Sequence, residues 1–366
     1  MSSNSPTTIH QIIQKLGPLV TSIHGLDEVA AGKIAIAGVN SPDLATADQL
    51  TFVTQAKYLE KGLASPARVV AFPEKMRSAV LEKWSDSPRA FFFVKDPEFA
   101  MRETVQNFVL QTPYVNHEMV SGIHPTAVVH PRAKLAAGVS VGPHAVIAQD
   151  VVIGENAIIG ANSIIEARAT IGARTVIHPL VYVGHTCEIG ADCEIHPSSV
   201  IGKEGFGYVH DAKNNHYRIP HTGRVVLGDR VHIGANVTVD RGTFGDTRIE
   251  SGAILDNRIQ IAHNVELGVN SILTSGFKVA GSTKIGRNFL AGGNTTVTGH
   301  IEICDGVQLG GLSAVRKDIT QPGAYAGNPL MSVRDYTRAL AAIAKLPLLL
   351  KKFRGLLNDD DETATL

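Results

Sequence analysis

The chain has 366 residues, 44% of them hydrophobic, and its 34 Lys and Arg balance its 34 Asp and Glu. That zero formal charge argues neither for nor against an extended nucleic-acid surface. Three cysteines in this length do not suggest a disulfide framework and fit a reducing compartment.

The opening, Met1-Ser2-Ser3-Asn4, lacks the basic and apolar regions of a secretory leader. Residues 1 to 115 show no short repeat. Ile9 to Leu16 reads as a helix that Gly17-Pro18 ends. Asp43 to Asp48 reads as a helical turn, Leu50 to Val53 as a short strand and Gln55 to Leu63 as a helix. Ala67 to Phe72 reads as a strand and Pro97 to Leu110 as a helix. This alternation predicts a small α/β domain, followed by a linker over residues 112–122.

From Ile123 the chain repeats every six residues. Val129, Leu135, Val141, Ile147, Ile153, Ile159, Ile165, Ile171, Ile177, Val183, Ile189 and Ile195 share one phase. The phase returns at Leu227 and Ile233, and again from Ile249 to Val315 with Ala291 departing. A period of six fits neither an amphipathic helix nor an alternating strand. It is the signature of a hexapeptide parallel β-helix, in which three hexads make one triangular coil. First positions point inward, and coils stack roughly 4.8 Å apart. Fifth positions (Ala127, Ala133, Val139, Cys187, Cys193, Ser199) are small, as a tight corner would require. Second positions are often Gly (Gly142, Gly154, Gly160, Gly172), read as sharp turns. The predicted β-helix covers 116–330. Two excursions, residues 202–226 and 240–248, leave it, and loops on a rigid scaffold commonly carry function. Residues 331–366 form a third region, helical from about Ser332 to Leu357. The acidic run Asp359 to Glu362 is expected to lack regular structure. The apolar stretch Ala339 to Leu350, broken by Lys345 and Pro347, is too short to span a bilayer. A cytoplasmic protein without a transmembrane segment is expected.

No P-loop, dinucleotide fingerprint or paired CxxC is present. His124, His130, His178 and His196 precede prolines at the turn position of the repeat, which reads as structural. His263 and His300 differ, because they fall at outward third and fourth positions. Their hexads begin at Ile261 and Val297, two full coils apart on one side of the prism, so roughly 10 Å separates them along the axis. Gly276, Gly281, Gly292-Gly293 and Gly299 leave room beside them for an extended substrate. Two imidazoles aimed from one rigid side suit proton transfer with a second polar contact. His144 and His185 occupy equivalent outward positions, so geometry alone equally fits surface histidines.

Several segments together resemble the UDP-3-O-acylglucosamine N-acyltransferases of lipid A biosynthesis. They are Asp256-Asn257 with Gln260-Ile261-Ala262-His263-Asn264, Gly299-His300-Ile301-Glu302-Ile303-Cys304, Glu204-Gly205-Phe206-Gly207-Tyr208, and Asp240-Arg241-Gly242 with Asp246-Thr247. Leu50-Thr51-Phe52-Val53 with Lys57-Tyr58 is similar to that family's uridine-binding domain. The resemblance spans about residues 20–340. It implies a mainly β fold, a left-handed parallel β-helix with an N-terminal α/β domain and a C-terminal helical extension. It also implies a homotrimer with sites between subunits. Within the family, the histidine matching His263 is the general base and the one matching His300 assists near the reacting carbonyl. The aromatics matching Phe52 and Tyr58 hold the uracil ring, and Gln55 stands where some members carry Asn.

The expected reaction moves a 3-hydroxyacyl chain from an acyl carrier protein thioester to the 2-amino group of a UDP-linked 3-O-acylglucosamine. The co-substrate is the acyl-4'-phosphopantetheine of that carrier, with no bound cofactor and no metal. His263 takes the proton of the attacking amine, Asp256 is assigned to orient its ring, and the Gly281 backbone N–H with His300 stabilises the thioester oxygen. Asn257 and the loop Gly205-Phe206-Gly207-Tyr208 would contact sugar, pantetheine or acyl chain. Arg334, Arg338, Lys345, Lys351, Lys352 and Arg354 form a candidate docking patch for an acidic carrier protein. Three alternatives stay open at this point: an O-acyltransferase acting on UDP-N-acetylglucosamine, a zinc carbonic anhydrase on the same fold, and a scaffold without catalysis.

Overall fold

A computed structural model describes residues 7–25, 28–84, 89–109, 122–327 and 332–362. The chain divides into two compact units, Met1–Tyr114 and Val115–Leu366.

The first unit is an α/β layer. Its sheet comprises β1 (Val20–His24), β2 (Gly38–Asn40), β3 (Gln49–Phe52), β4 (Val69–Pro73) and β5 (Ala90–Val94), in the order β1-β5-β4-β3-β2. Only the edge strand β1 runs antiparallel, against β5. Strands β4 and β5 are buried along their whole length, as parallel strands covered on both faces must be. Helix α1 (Ile9–Leu16) starts on a capping box in which Thr8 and Gln11 satisfy each other's backbone N–H, and it buries Ile9, Ile12 and Leu16. Helices α2 (Glu28–Lys33), α3 (Leu59–Ala64), α4 (Arg77–Trp84) and α5 (Pro97–Thr104) complete the unit.

Some local expectations need correction. Asp43 to Asp48 makes turns but no helix. The helix expected over Gln55 to Leu63 splits into a 3-10 turn, Ala56–Tyr58, and α3. Helix α5 stops at Thr104 and continues as one π turn, Val105–Val109. Residues 110–121, which include most of the expected linker, lie outside the described residues.

The second unit is a prism of three parallel sheets. The first face runs from Val128–Val129 to Ala314–Val315 with ten strands. The second runs from Lys134–Leu135 to Glu302–Ile303 with nine, and the third from Ser140–Val141 to Gly323–Tyr325 with ten. Within the uninterrupted repeat each strand pairs with the one eighteen residues on, as Val152 with Thr170 and Ile159 with Ile177, so three hexads make a coil. First positions from Val141 onward form one continuous core, and each buried aliphatic side chain contributes about 1.5–3 kcal/mol of transfer free energy.

The corners follow a rule the glycines alone did not reveal. It is the fourth hexad position that turns left-handed, in Asn156, Asn162, Arg168, Arg174 and Asn270 among others, with φ of 55 to 60°. The second-position glycines answer to space instead. A Cβ on Gly172 would lie 2.3 Å from the Gly190 carbonyl carbon, and one on Gly190 would lie 2.5 Å from the Gly228 oxygen. Polar fifth positions return a hydrogen bond to the next coil, Ser163 to the His178 carbonyl and Ser199 to the Gly234 carbonyl. The expectation that only compact residues fit the fifth position fails near the C-terminal end. There Phe277 and Phe289 are fully buried and pack edge-on, 6.1 Å apart. Ala291, the departure from the aliphatic phase, lies in the same core, where a smaller first position balances a larger fifth one.

Past the prism, helix α6 runs over Val333–Glu362 with Pro347 inside it. It continues through the acidic run expected to be irregular.

Candidate active site

The excursion from the prism over residues 204–223 folds into a hairpin, Tyr208–His210 against His216–Arg218. Its tip is pinned by Asp211, whose carboxylate accepts from the N–H groups of Lys213 and Asn215, the Asn215 amide and the Tyr217 hydroxyl. The returning strand is tied to the second excursion: Thr222 N donates to the Thr243 carbonyl at 2.8 Å and Gly223 N to the Gly242 carbonyl at 3.0 Å. Both excursions therefore meet over the corner between the first and second faces.

His263 lies on that corner, after the first-face strand Gln260–Ile261 and before the second-face strand Glu266–Leu267. Its ring is half-buried. Nδ1 is 3.2 Å from Asn264 Oδ1 and 3.4 Å from Thr243 Oγ1. The same Asn264 oxygen accepts from Thr243 N at 2.9 Å, which fixes the amide's orientation. Against an acceptor oxygen Nδ1 carries the hydrogen, which in the neutral ring leaves the lone pair on Nε2. That nitrogen faces Gly281 on the next coil, where a Cβ would come within 2.6 Å of it. The Gly281 N–H donates to no acceptor among the described residues, while its carbonyl accepts from His300 N at 3.1 Å. His300 is exposed and left-handed, φ 58°. His263, Gly281 and His300 thus occupy three successive coils of one corner.

Sequence reasoning missed His221. It lies just outside the repeat phase, at the return of the hairpin, and only its place in Ile-Pro-His before the next hexads hinted at it. It is 4% exposed, its Nδ1 donates to the Ile219 carbonyl at 2.9 Å, and Nε2 is buried without a partner among the described residues. Its ring stands edge-on to His263 at 5.3 Å. Gly205 and Gly207 pack on it so closely that a Cβ on either would fall within 3 Å of the imidazole. Their neighbours Phe206 (80% exposed) and Tyr208 (50% exposed) are held outward as a ring pair 5.1 Å apart. Asn264 and Thr243 were missed as well, because their role depends on the fold of the second excursion.

Beside the corner, a groove of about 380 Å³ runs along the first face, lined by Lys203, Phe206, Asp240, Gln260, Lys278 and Thr296. Lys203 Nζ sits 2.7 Å from the nearly buried Asp240 carboxylate. Arg241, fully buried, anchors the second excursion by donating to the Gly202 and His185 carbonyls. A larger cavity of about 550 Å³ lies at the C-terminal end of the prism, among Leu309, Val315, Ile319 and Tyr325. It contains no histidine and marks the last coil.

Asp256 does not reach His263 within one chain. It follows the third-face strand Ile254–Leu255, one corner away, and its oxygens accept from Asn257 and Ser275. Within one chain it is Asn264 and Thr243, not Asp256, that lie beside the His263 Nδ1. Asn257 sits beside Asp256, its oxygen accepting from Ala235 N at 2.8 Å.

In the first unit, Phe52 is 5% exposed and packs edge-on to Phe92 in the sheet core, so little of its ring is free. Gln55 is exposed. Tyr58 is half-buried, with Lys57 and Lys61 ammonium groups 4.9 and 6.0 Å from its ring centre. On α6, Arg334, Arg338, Lys345, Lys351 and Lys352 are exposed, whereas the side chain of Arg354 lies outside the described set.

A model of the GMPPB C-terminal domain family matches residues 123–205, the first part of the prism. The UDP-3-O-acylglucosamine N-acyltransferase of Methylococcus capsulatus is 41% identical over 160 residues, 44% of this chain and 45% of that protein. The enzyme of the same name from Helicobacter hepaticus is 44% identical over 151 residues, 41% of this chain and 46% of that one. The chain resembles the UDP-3-O-acylglucosamine N-acyltransferases. The matches span just under half the length of those relatives. Among solved structures, the Arabidopsis UDP-N-acetylglucosamine acyltransferase superposes with a TM-score of 0.51 at 25% identity, covering 56% of this chain and 71% of that one. The prism is accordingly a left-handed β-helix of the hexapeptide acyltransferase type. No described helix is long and apolar enough to cross a membrane.

Proposed function

We propose that this protein is an N-acyltransferase that moves a 3-hydroxyacyl group from a carrier-protein thioester to the 2-amino group of a UDP-3-O-acylglucosamine, in lipid A biosynthesis. The observation that carries the reading is the His263–Gly281 pair: an imidazole with a free Nε2 directly beside an unused backbone N–H. The first suits a base and the second an oxyanion donor.

In the proposed reaction the amine nitrogen attacks the thioester carbon. Nε2 of His263 accepts the proton as the C–N bond forms, and negative charge grows on the carbonyl oxygen. The Gly281 N–H and the exposed His300 ring stabilise that oxygen. The C–S bond then breaks, the amide remains, and the proton on His263 passes to the leaving thiolate. No covalent enzyme intermediate is required.

Asn264 and Thr243 hold the ring in the required tautomer, and His221 walls it on one side. The groove along Gln260, Lys278 and Thr296 is assigned to pantetheine and acyl chain, with Phe206 and Tyr208 at its rim. Tyr58, flanked by two lysines, is suited to a nucleobase beside an anionic diphosphate; Phe52 supports the sheet beneath it. Asp256 and Asn257, one corner away, would act on a neighbouring subunit's site in a homotrimer. The basic residues of α6 are assigned to carrier-protein docking in the cytoplasm.

The test is product identity. Purified protein is given acyl carrier protein loaded with 3-hydroxyacyl chains of graded length, with either UDP-3-O-acylglucosamine or UDP-N-acetylglucosamine. An amide formed only from the first acceptor supports the reading. An ester formed on the second would replace it with O-acyl transfer.

A further inference from the structure

A second constellation sits on a different corner and has the composition of a metal site. His178 and His196 follow the third-face strands Val176–Ile177 and Glu194–Ile195, and His232 lies on the next strand of that face. The strands pair in register, Val176 with Glu194 and Glu194 with His232. That register stacks His178 on His196 at 4.5 Å and brings His232, tilted by 49°, to 4.9 Å from His196. Glu194 reaches all three. Its Oε1 is 2.8 Å from His178 Nε2 and 3.4 Å from His196 Nε2, and its Oε2 is 3.6 Å from His232 Nδ1.

A ladder of turn histidines on a hexad corner needs no such convergence. His124 and His130 show the plain case, each spending Nδ1 on the backbone N–H two residues on. In the cluster, by contrast, the donor atoms of His178, Glu194 and His196 all fall within 4.8 Å of one another. An ion bound at about 2.0–2.2 Å in tetrahedral geometry holds its ligand atoms about 3.3–3.6 Å apart. Oε1 of Glu194 lies at or inside that spacing from His178 and His196, and Oε2 lies 3.6 Å from His232, which places His232 as the fourth donor at the edge of the cluster. Imidazole nitrogens with one carboxylate oxygen favour zinc and its transition-metal neighbours over calcium or magnesium. His178 is only 7% exposed, which holds one donor rigidly against the corner.

We propose that His178, Glu194, His196 and His232 form a binding site for one divalent transition-metal ion, zinc by preference. The site also has a structural logic. Glu194 and His232 are neighbours in the sheet, yet the hairpin excursion separates them in sequence. An ion held here clips the coil before that excursion to the coil after it, so metal binding stabilises the prism where its repeat is interrupted. The cluster lies on the corner between the third and first faces, whereas His263 lies between the first and second. Within one chain, then, the ion and His263 sit on different corners.

The experiment uses the full chain without an affinity tag, stripped by chelator and titrated with Zn²⁺ by calorimetry and with Co²⁺ by visible absorption. Expected are one equivalent per chain, micromolar or tighter affinity for zinc, the intense visible bands of tetrahedral cobalt, and a higher melting temperature with metal. His232→Ala and Glu194→Gln each weaken binding at least tenfold, and His300→Ala leaves it unchanged. His232 is half-buried, its side chain 43% exposed, and circular dichroism checks that its variant folds. Absence of saturable uptake, or uptake that His232→Ala and Glu194→Gln leave intact, overturns the proposal and leaves a histidine ladder neutralised by one carboxylate.

Discussion

The imidazole of His263 lies over the α-carbon of Gly281, one coil along the prism, so closely that a methyl group there would sit 2.5 Å from Cε1. The stacking period of the β-helix brings the two together. Each coil delivers its third hexad position to the same corner, and a side chain on one coil can lie flat only if its neighbour has none. Gly281→Ala is thus predicted to leave the fold intact while turning the ring away. The expected loss is about 100-fold in kcat/KM, with a melting temperature close to that of the parent. Near-normal turnover by the alanine variant would show that the ring's position over Gly281 is immaterial.

The tautomer of His263 is set by a neutral amide. Asn264 Oδ1 takes the Nδ1 hydrogen while also accepting from Thr243 N. Asn264→Ala should release the ring to mix tautomers, visible in its nitrogen-15 chemical shifts, and lower kcat about 10-fold. Asp256→Asn should leave those shifts unchanged in the free enzyme, because within a chain its carboxylate is engaged by Asn257 and Ser275. A tautomer shift on altering Asp256 would restore it as the orienting group.

His221 acts on His263 through ring contact and through the glycine loop packed on it. His221→Phe keeps the wall and loses the bond to the Ile219 carbonyl, so it should retain most of kcat with a modest rise in KM. His221→Ala removes the wall and should cost about 10-fold in kcat. Equal effects from the two would mean that the ring's polar atoms, not its shape, matter.

The hairpin tip predicts a local pH response. Asp211 accepts four hydrogen bonds, those from the Asn215 side chain and backbone contributing most, and its carboxyl is held down at about 2. The folded value lies below the ordinary one, so the protonated form is disfavoured by the folded hairpin. Its stabilisation is complete above the normal carboxylate range and is lost as pH falls through about 2. Carbon-13 titration of the Asp211 carboxyl should give that midpoint, and a value near 4 would mean the tip is open in solution.

The prism was legible in the sequence because its core obeys one short period: a first position that misses the axis leaves its coil unfilled, so the aliphatic phase is nearly unbroken from Ile123 to Ile195. The same phase located His263 and His300 on one corner. It misread the second-position glycines, since a close backbone approach and a left-handed turn both select glycine and only coordinates separate them. The role of Asp256 comes from the family resemblance, and within one chain Asp256 follows a strand of another face. His221, Thr243 and Asn264 were hidden for a related reason: two of them belong to excursions that carry no period, and their partners are fixed by hydrogen bonds between loops. In the first unit, β5 escaped notice because Ala90-Phe91-Phe92-Phe93-Val94 is buried on both sides and shows no alternation. Phe52 reads as a binding ring through the family resemblance, and it lies 5% exposed in the sheet core.

The most direct test is the single-turnover rate of amide formation by wild type and His263→Ala, both saturated with carrier-bound 3-hydroxyacyl thioester and UDP-3-O-acylglucosamine. Removal of the base should slow the chemical step by about 10²–10⁴-fold while leaving acceptor binding within a few-fold of wild type. An alanine variant that forms the amide at the parent rate would contradict the assignment of His263 and, with it, the mechanism built on this corner.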